Sequence, residues 1–166
     1  MAILLVYDPL MALKIRIASQ ADVPLILQFI KDLAEYERLA HEVVATEETL
    51  RTTLFGQPRV AEVLIGEADG KPAGFALFFH NFSTFLGRPG IYLEDLFVKP
   101  EFRGRGYGRA LLAHLAEIAR ERNCGRLEWA VLNWNTPAID FYKSLGAKPQ
   151  DQWTVYRITG KTLEEL

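Results

Sequence analysis

An apolar run, Ile91-Tyr-Leu-Glu-Asp-Leu-Phe-Val98, leads through Lys-Pro-Glu-Phe-Arg103-Gly-Arg-Gly-Tyr-Gly108-Arg109 straight into a long helical pattern. Ala110, Leu111, Ala113, Leu115, Ile118 and Ala119 recur at the spacing of an amphipathic helix, which stops near Asn123 to Gly125. A strand of that composition belongs inside a sheet, and such a helix needs a sheet face to cover its apolar stripe. The chain is thereby directed to a layered α/β (α+β) fold. Glycines at the joint leave the first amides of the helix open to a ligand.

The remaining pattern agrees. Leu13, Ile15 and Ile17 alternate with Lys14 and Arg16 as a strand over 13 to 18. Asp22 can cap the next helix, Pro24 is tolerated in its first turn, and Ile26, Phe29, Ile30 and Leu33 carry it to about Glu37. Thr46 caps a shorter helix with Leu50 and Leu54 facing inward, ended by Gly56 and Pro58. Val60 to Glu67 and Ala73 to Phe82 are strands about the hairpin signal Asp69-Gly70-Lys71, and Asn81 to Gly90 reads as a loop. Leu127, Trp129 and Val131 alternate as a strand, and Thr136-Pro137 opens a helix that stops at Gly146. Trp153 to Ile158 reads as a last strand, and Gly160 starts a terminal helix. The expectation is one domain over 13–166, with a mixed, mostly antiparallel central sheet flanked by helices, after an N-terminal extension over 1–12.

Composition excludes several classes. Nineteen Lys and Arg against 21 Asp and Glu give a net charge of −2, so no nucleic-acid backbone or anionic membrane is an expected partner. The apolar residues at the start are interrupted by Asp8 and Pro9 and fall short of the ~20 needed to span a bilayer. One cysteine, Cys124, forms no internal disulfide, and with only His41, His80 and His114 there is no Cys/His metal spacing. The expected setting is the cytoplasm, without a metal.

Three groups of residues carry chemistry. Gly104, Gly106 and Gly108, with Arg103, Arg105 and Arg109 around them, describe a pyrophosphate site at a helix start. The spacing fits neither established nucleotide loop: G-x-G-x-x-G fails from Gly104 and from Gly106, and Gly160-Lys161-Thr162 has Val155 where a Walker loop needs glycine. A flexible turn or an Arg-rich patch is the plain alternative. Glu94 and Asp95 interrupt a buried strand, where alternation turns at least one carboxylate inward and burial raises its pKa toward that of a general base. Pairing with arginines is the plain alternative here. Asn135 and Tyr142 lie at a helix entry and on its apolar face, places also taken by a turn residue and a core tyrosine.

With these residues assembled, the chain is similar to the GCN5-related N-acetyltransferase (GNAT) family. Arg103-Gly-Arg-Gly106-Tyr-Gly108 matches that family's acetyl-CoA signature, R/Q-x-x-G-x-G/A, and Trp134-Asn135-Thr-Pro137-Ala-Ile-Asp-Phe141-Tyr142 and Leu145-Gly146-Ala147 extend the likeness over about 13 to 158. Tyr36-Glu37, Tyr92-Leu-Glu-Asp-Leu-Phe-Val98 and Trp134-Asn135 resemble the diamine (spermidine/spermine) acetyltransferases and their thialysine-acetylating relatives.

The resemblance implies roles. Backbone amides of Arg103, Gly104, Arg105, Gly106, Tyr107, Gly108 and Arg109 would hold the CoA pyrophosphate, Leu96, Phe97 and Val98 would pair with the pantetheine arm, and Asn135 would touch the cofactor. Glu94 would be the base that takes a proton from the amine through water, and Tyr142, at the cofactor, the acid that protonates the departing thiolate. Tyr36, Glu37, Ser83, Thr84, Glu94 and Asp95 would bind the acceptor, with His80 beside them. Diamine acetyltransferases carry an acidic residue in the loop over 81–88, whereas this loop has none and its Ser83-Thr84 resembles the thialysine-acetylating relatives. The expected acceptor is thus the primary amine of a lysine-like amino acid, thialysine or a di/polyamine, attacked directly in a ternary complex. The resemblance also implies a homodimer. A protein or peptide acetyltransferase and a non-catalytic acyl-CoA sensor are the alternatives.

Overall fold

The computed structural model describes residues 13–166; the expected extension, 1–12, lies outside them. Its elements are β1 (Leu13–Ile17), α1 (Val23–Tyr36), α2 (Glu47–Phe55), β2 (Glu62–Ala68), β3 (Lys71–Ser83), β4 (Arg88–Val98), α3 (Tyr107–Glu121), β5 (Leu127–Trp129), α4 (Thr136–Ser144) and α5 (Lys161–Glu165). The strands form one sheet in the order β1-β2-β3-β4-β5, antiparallel throughout except for the parallel pair β4 and β5. This is the mixed, mostly antiparallel sheet that the patterning predicts. Contacts divide the chain into two compact units, one ending at Ala130 and the other Val131–Leu166.

Both faces of the sheet in the first unit are covered. On one, Val23, Ile26 and Phe29 of α1 and Leu50 and Leu54 of α2 pack with Val63, Ile65, Phe75, Leu77 and Phe97. Phe29 lies parallel to Phe75 at 5.1 Å and edge-on to Phe97 at 6.4 Å, so three rings lock α1 to β3 and β4. On the other face α3 packs against β1 to β4, burying Leu111, Leu112, Leu115 and Ile118. Arg122, at the end of α3, lies 5.8 Å over the Phe78 ring and pairs with Glu62, whose carboxyl it holds below the usual range.

Local chemistry explains most boundaries. Asp69 and Gly70 both adopt left-handed φ, 52° and 71°, as a two-residue hairpin between β2 and β3 requires. Thr46 caps α2 by accepting from the Thr49 N–H at 3.2 Å. Helices α1, α3 and α4 each close with a left-handed residue, Arg38, Asn123 and Gly146, whose following N–H returns to Ala34, Ala119 and Tyr142 respectively. Asp22 does stand at the N-cap of α1, but its carboxylate is spent elsewhere: it accepts from the Ser19 N–H and pairs with Arg16 at 2.7 Å, which holds its pKa down at about 2. Arg16 also reaches Glu67, so one guanidinium joins β1, β2 and the entry to α1.

Two expectations are corrected. Asn81 to Gly90 is not a loop: the ladder continues through Phe82↔Pro89 and Ser83↔Arg88, leaving only residues 84–87 as the turn. Ser, Thr, Gly and Pro hid two strands whose mutual pairing supplies their hydrogen bonds. Trp153 to Ile158 forms no strand. Its alternation has no ladder to join among the described residues, and Trp153, Val155 and Tyr156 stand exposed, the last at 92%. Among the described residues the sheet therefore has five strands where the patterning predicts six.

Candidate active site

The strand β4 is interrupted where its carboxylates lie. Asp95 stands opposite Leu77 while Leu93 stands opposite Phe78, so Glu94 is the extra residue of a β-bulge. Directly paired residues share a face, which places Asp95 beside Leu77 and two residues before Phe97 on the side covered by α1. Alternation correctly predicts one carboxylate turned inward; it is Asp95, half-buried, whereas Glu94 is exposed.

A third carboxylate arrives from α1. Glu37 is the C-cap of that helix, held by its own N–H bonding to the Leu33 carbonyl at 2.9 Å. Burial raises the Glu37 pKa. Burial, and then the charges of Glu94 and Glu37, push Asp95 up to about 6. Three acidic groups thus crowd at the bulge beside the negative end of the α1 dipole, an arrangement that favours a cation. Tyr36 lies on the same turn of helix, and the Arg103 guanidinium covers its ring at 4.7 Å.

The other end of β4 delivers the chain to α3. Gly104 and Gly106 have φ of 74° and 79°, and Gly106 is the N-cap. No side chain caps α3, and the first carbonyl-bound amide is that of Ala110, which donates to Gly106 at 3.0 Å. The amides of Tyr107, Gly108 and Arg109 therefore point out of a 15-residue helix at its positive end. A Cβ on Gly104 would meet nothing within 4 Å, so a ligand can approach the backbone there. A pyrophosphate fits this donor set. The arginines divide the work: Arg103 donates from Nε to the Val98 carbonyl at 2.8 Å and leans toward α1, while Arg105 stacks at 5.6 Å over Phe102.

Other candidate residues lie elsewhere. Ser83 and Thr84 sit at the far end of the β3–β4 hairpin, six residues beyond Leu77, roughly 20 Å at about 3.4 Å per residue. The Ser83 hydroxyl accepts from the Leu86 N–H at 3.3 Å and shapes the turn. The described chain does not bring this pair to Glu94 and Asp95. His80 pairs with Ile91 on the face of Phe78, opposite to that of Asp95. Asn135 and Tyr142 belong to the second unit: Asn135 caps α4 by accepting from the Ala138 N–H, and Tyr142 lies 5.3 Å from the Phe141 ring. Among the described residues no cluster of His, Cys, Asp or Glu is placed to hold a metal, and no helix is long and apolar enough to cross a membrane.

The profile of the Acetyltransferase (GNAT) family matches residues 28–147. The chain belongs to the GNAT family. It is an acyltransferase with acetyl-CoA as donor, as the resemblance of its glycine-arginine loop implies, and the amides at the start of α3 are those that fit the donor's pyrophosphate. A thialysine N-epsilon-acetyltransferase of Bos taurus is 40% identical over an alignment 163 positions long that covers 92% of this chain and 95% of the relative. An L-ornithine N5-acetyltransferase of Arabidopsis thaliana is 32% identical, over 92% of this chain and 87% of its own. Among solved structures, an integron cassette protein from the mobile metagenome of V. cholerae superposes with a TM-score of 0.79 at 29% identity, covering 93% of this chain and 97% of the other.

Asp32, Glu35 and Tyr36 share one face of α1, and with Phe97, Lys99, Pro100, Glu101 and Arg103 they line a groove of about 480 Å³. Of these, sequence reasoning about this GNAT chain named Tyr36, Phe97 and Arg103 and missed Asp32, Glu35, Lys99, Pro100 and Glu101. The i, i+3, i+4 spacing of Asp32, Glu35 and Tyr36 was a legible signal. That Lys99 folds back over Phe29, with Nζ 5.6 Å from the ring centroid, was not, because nothing local ties a strand end to a helix residue about seventy positions before it.

Proposed function

We propose that this acetyltransferase acetylates the primary amine of a small molecule, a lysine-like amino acid, thialysine or a di/polyamine, by direct attack in a ternary complex. The observation that carries the reading is the cluster of Glu37, Glu94 and Asp95 at the bulge, an acidic site suited to one ammonium. Relatives named for thialysine and L-ornithine support the same acceptor class.

Bound acetyl-CoA supplies a thioester whose acetyl carbon accepts the amine nitrogen while the thiol departs. The amides from Gly104 to Arg109 hold its pyrophosphate, that of Arg103 being taken by the Pro100 carbonyl at 3.2 Å; main-chain groups of Leu96, Phe97 and Val98 steady its arm, and Asn135 adds a contact. Glu37 and Asp95 draw in the ammonium, which has no lone pair until it loses a proton. Glu94, exposed at the bulge, takes that proton through water. Tyr142 returns a proton to the sulfur as negative charge develops there. Ser83 and Thr84 bind acceptor only if another copy of the chain presents them.

The same reading includes a cytoplasmic homodimer. A lone half-buried cysteine, Cys124, suits a reducing compartment, and the hairpin residues Phe82, Phe85 and Leu86 stand 60%, 95% and 55% exposed, an apolar tip suited to a second copy. Light scattering tests the dimer.

Thiol release from acetyl-CoA is measured over lysine, thialysine, ornithine, putrescine, spermidine and a lysine peptide. Turnover on a small amine supports the reading; turnover on the peptide alone replaces it, and binding of CoA without turnover on any amine makes the chain a sensor. Tyr142→Phe is expected to lower kcat more than donor affinity, and an unchanged kcat removes it as the acid. Glu94→Gln is expected to flatten the acidic limb of the kcat profile, and a limb that persists assigns the proton to another group.

A further inference from the structure

We propose that the groove between α1 and the end of β4 reads the α-amino-acid head of the acceptor, with Lys99 binding its carboxylate, so that the enzyme acts on free amino acids bearing a second amine rather than on the corresponding diamines. This rests on the small-amine acetyltransferase reading above and narrows it.

The groove, about 480 Å³, has walls of both signs: Asp32, Glu35 and Glu101 on one hand, Lys99 and Arg103 on the other. These charges do not neutralise one another. Arg103 spends Nε on the Val98 carbonyl and its face on Tyr36, and Asp32 accepts from the Gln28 amide at 2.7 Å. Among the described residues no carboxylate forms an ion pair with Lys99, which lines the groove and whose ammonium rests over the Phe29 ring, 5.6 Å from its centroid. An ammonium over an aromatic face is attracted weakly, and a carboxylate adds the charge-assisted hydrogen bonds that the ring cannot supply. A polycation lying in the groove would meet Lys99 as a like charge, and a dicarboxylate would meet three acids. A zwitterion satisfies both sets, its carboxylate on Lys99 and its α-ammonium toward Glu35 or Asp32.

The geometry also aims such a ligand. Phe97, in the groove wall, lies two residues beyond Asp95 on the same face of β4, roughly 7 Å at about 3.4 Å per residue. Tyr36, on the facing wall, immediately precedes Glu37. Lys99 is four residues beyond Asp95, but its ammonium folds back over Phe29, whose ring lies 6.4 Å from that of Phe97, so a head group held there directs its side chain along β4 toward the carboxylates at the bulge. Glu37 and Asp95 meet the distal amine while Lys99 holds the other end.

The test compares wild type with Lys99→Met and Lys99→Arg, measuring thiol release on lysine and on 1,5-diaminopentane, which lacks only the carboxylate. Calorimetry on the CoA-loaded protein follows the binding of lysine and of lysine amide. Wild type is expected to favour lysine over the diamine, and K99M to lower that kcat/KM ratio by about tenfold or more through the KM for lysine, the loss of one charge-assisted contact, with K99R restoring most of it. A ratio unmoved by K99M while wild type turns over both amines overturns the proposal and leaves the amine reading standing. Weakened CoA affinity in K99M, with lysine affinity intact, also overturns it by giving the groove to the donor. Lysine bound more tightly than lysine amide, in a Lys99-dependent way but without thiol release, does the reverse: it upholds the groove and removes the amine reading.

Discussion

Replacing Asp95 by Asn removes a charge that the fold holds at a cost. Burial and the neighbouring acids Glu94 and Glu37 raise its pKa from 3.8 to about 6, so the folded chain favours the neutral form. The stability contributed by neutral Asp95 is fully present below the unfolded value and is lost as the pH rises through about 6. The interval corresponds to roughly 3 kcal/mol held against the ionised form, at ~1.4 kcal/mol per pH unit. Asn keeps the shape and never ionises. At pH 8 the variant is therefore expected to melt higher, by roughly 6–12 °C at about 2–4 °C per kcal/mol for a chain of this size. At pH 4, where the wild-type carboxyl is already protonated, the two are expected to melt together. Thermal unfolding followed by circular dichroism from pH 4 to pH 8 reads this directly. In parallel, the KM for the amine is expected to rise in the variant and to lose its fall as the pH climbs through 6. A melting difference of one size at every pH, or a variant that melts lower at pH 8, refutes the electrostatic reasoning.

Gly106→Val forces a β-branched residue into φ of 79°, a conformation costing roughly 1–2 kcal/mol for any side chain, and sets bulk before the open amides of α3. The protein is expected to remain folded while its affinity for CoA, measured by calorimetry, falls. Phe29→Ala empties a fully buried site between Phe75 and Phe97 and is expected to cost about 3–5 kcal/mol in urea unfolding. Because the same ring supports Lys99 and Phe97, its loss is also expected to raise the acceptor KM.

Much of this architecture was legible because it is set locally. Thr46 before Glu47, Asp69 beside Gly70, and the glycines after Arg103 each specify their own turn, and the apolar stripes of α1 and α3 reveal their buried faces. What stayed hidden depends on partners. A two-residue period cannot reveal the extra residue at Glu94, since a bulge is defined by what stands across the ladder at Leu77 and Phe78. For the same reason Phe82 and Ser83 read as loop although Pro89 and Arg88 stand opposite them, and Trp153 to Ile158 reads as a strand although no neighbour among the described residues takes it up. At the site, the resemblance supplied residue types, whereas the contact of Arg103 with Tyr36 and the groove around Lys99 emerged only from tertiary packing.

β4 and the segment that follows it speak a different chemical language to each of their two helices. Toward α3 the chain offers peptide groups, fixed by backbone angles at Gly104 and Gly106 and indifferent to most side-chain replacement. Toward α1 it offers side chains alone, at Glu37, Glu94, Asp95 and Lys99. On the proposed reading, retooling the enzyme for a new acceptor is a matter of exchanging a few side chains on the α1 side, while the donor grip before α3 survives because it is written in the main chain.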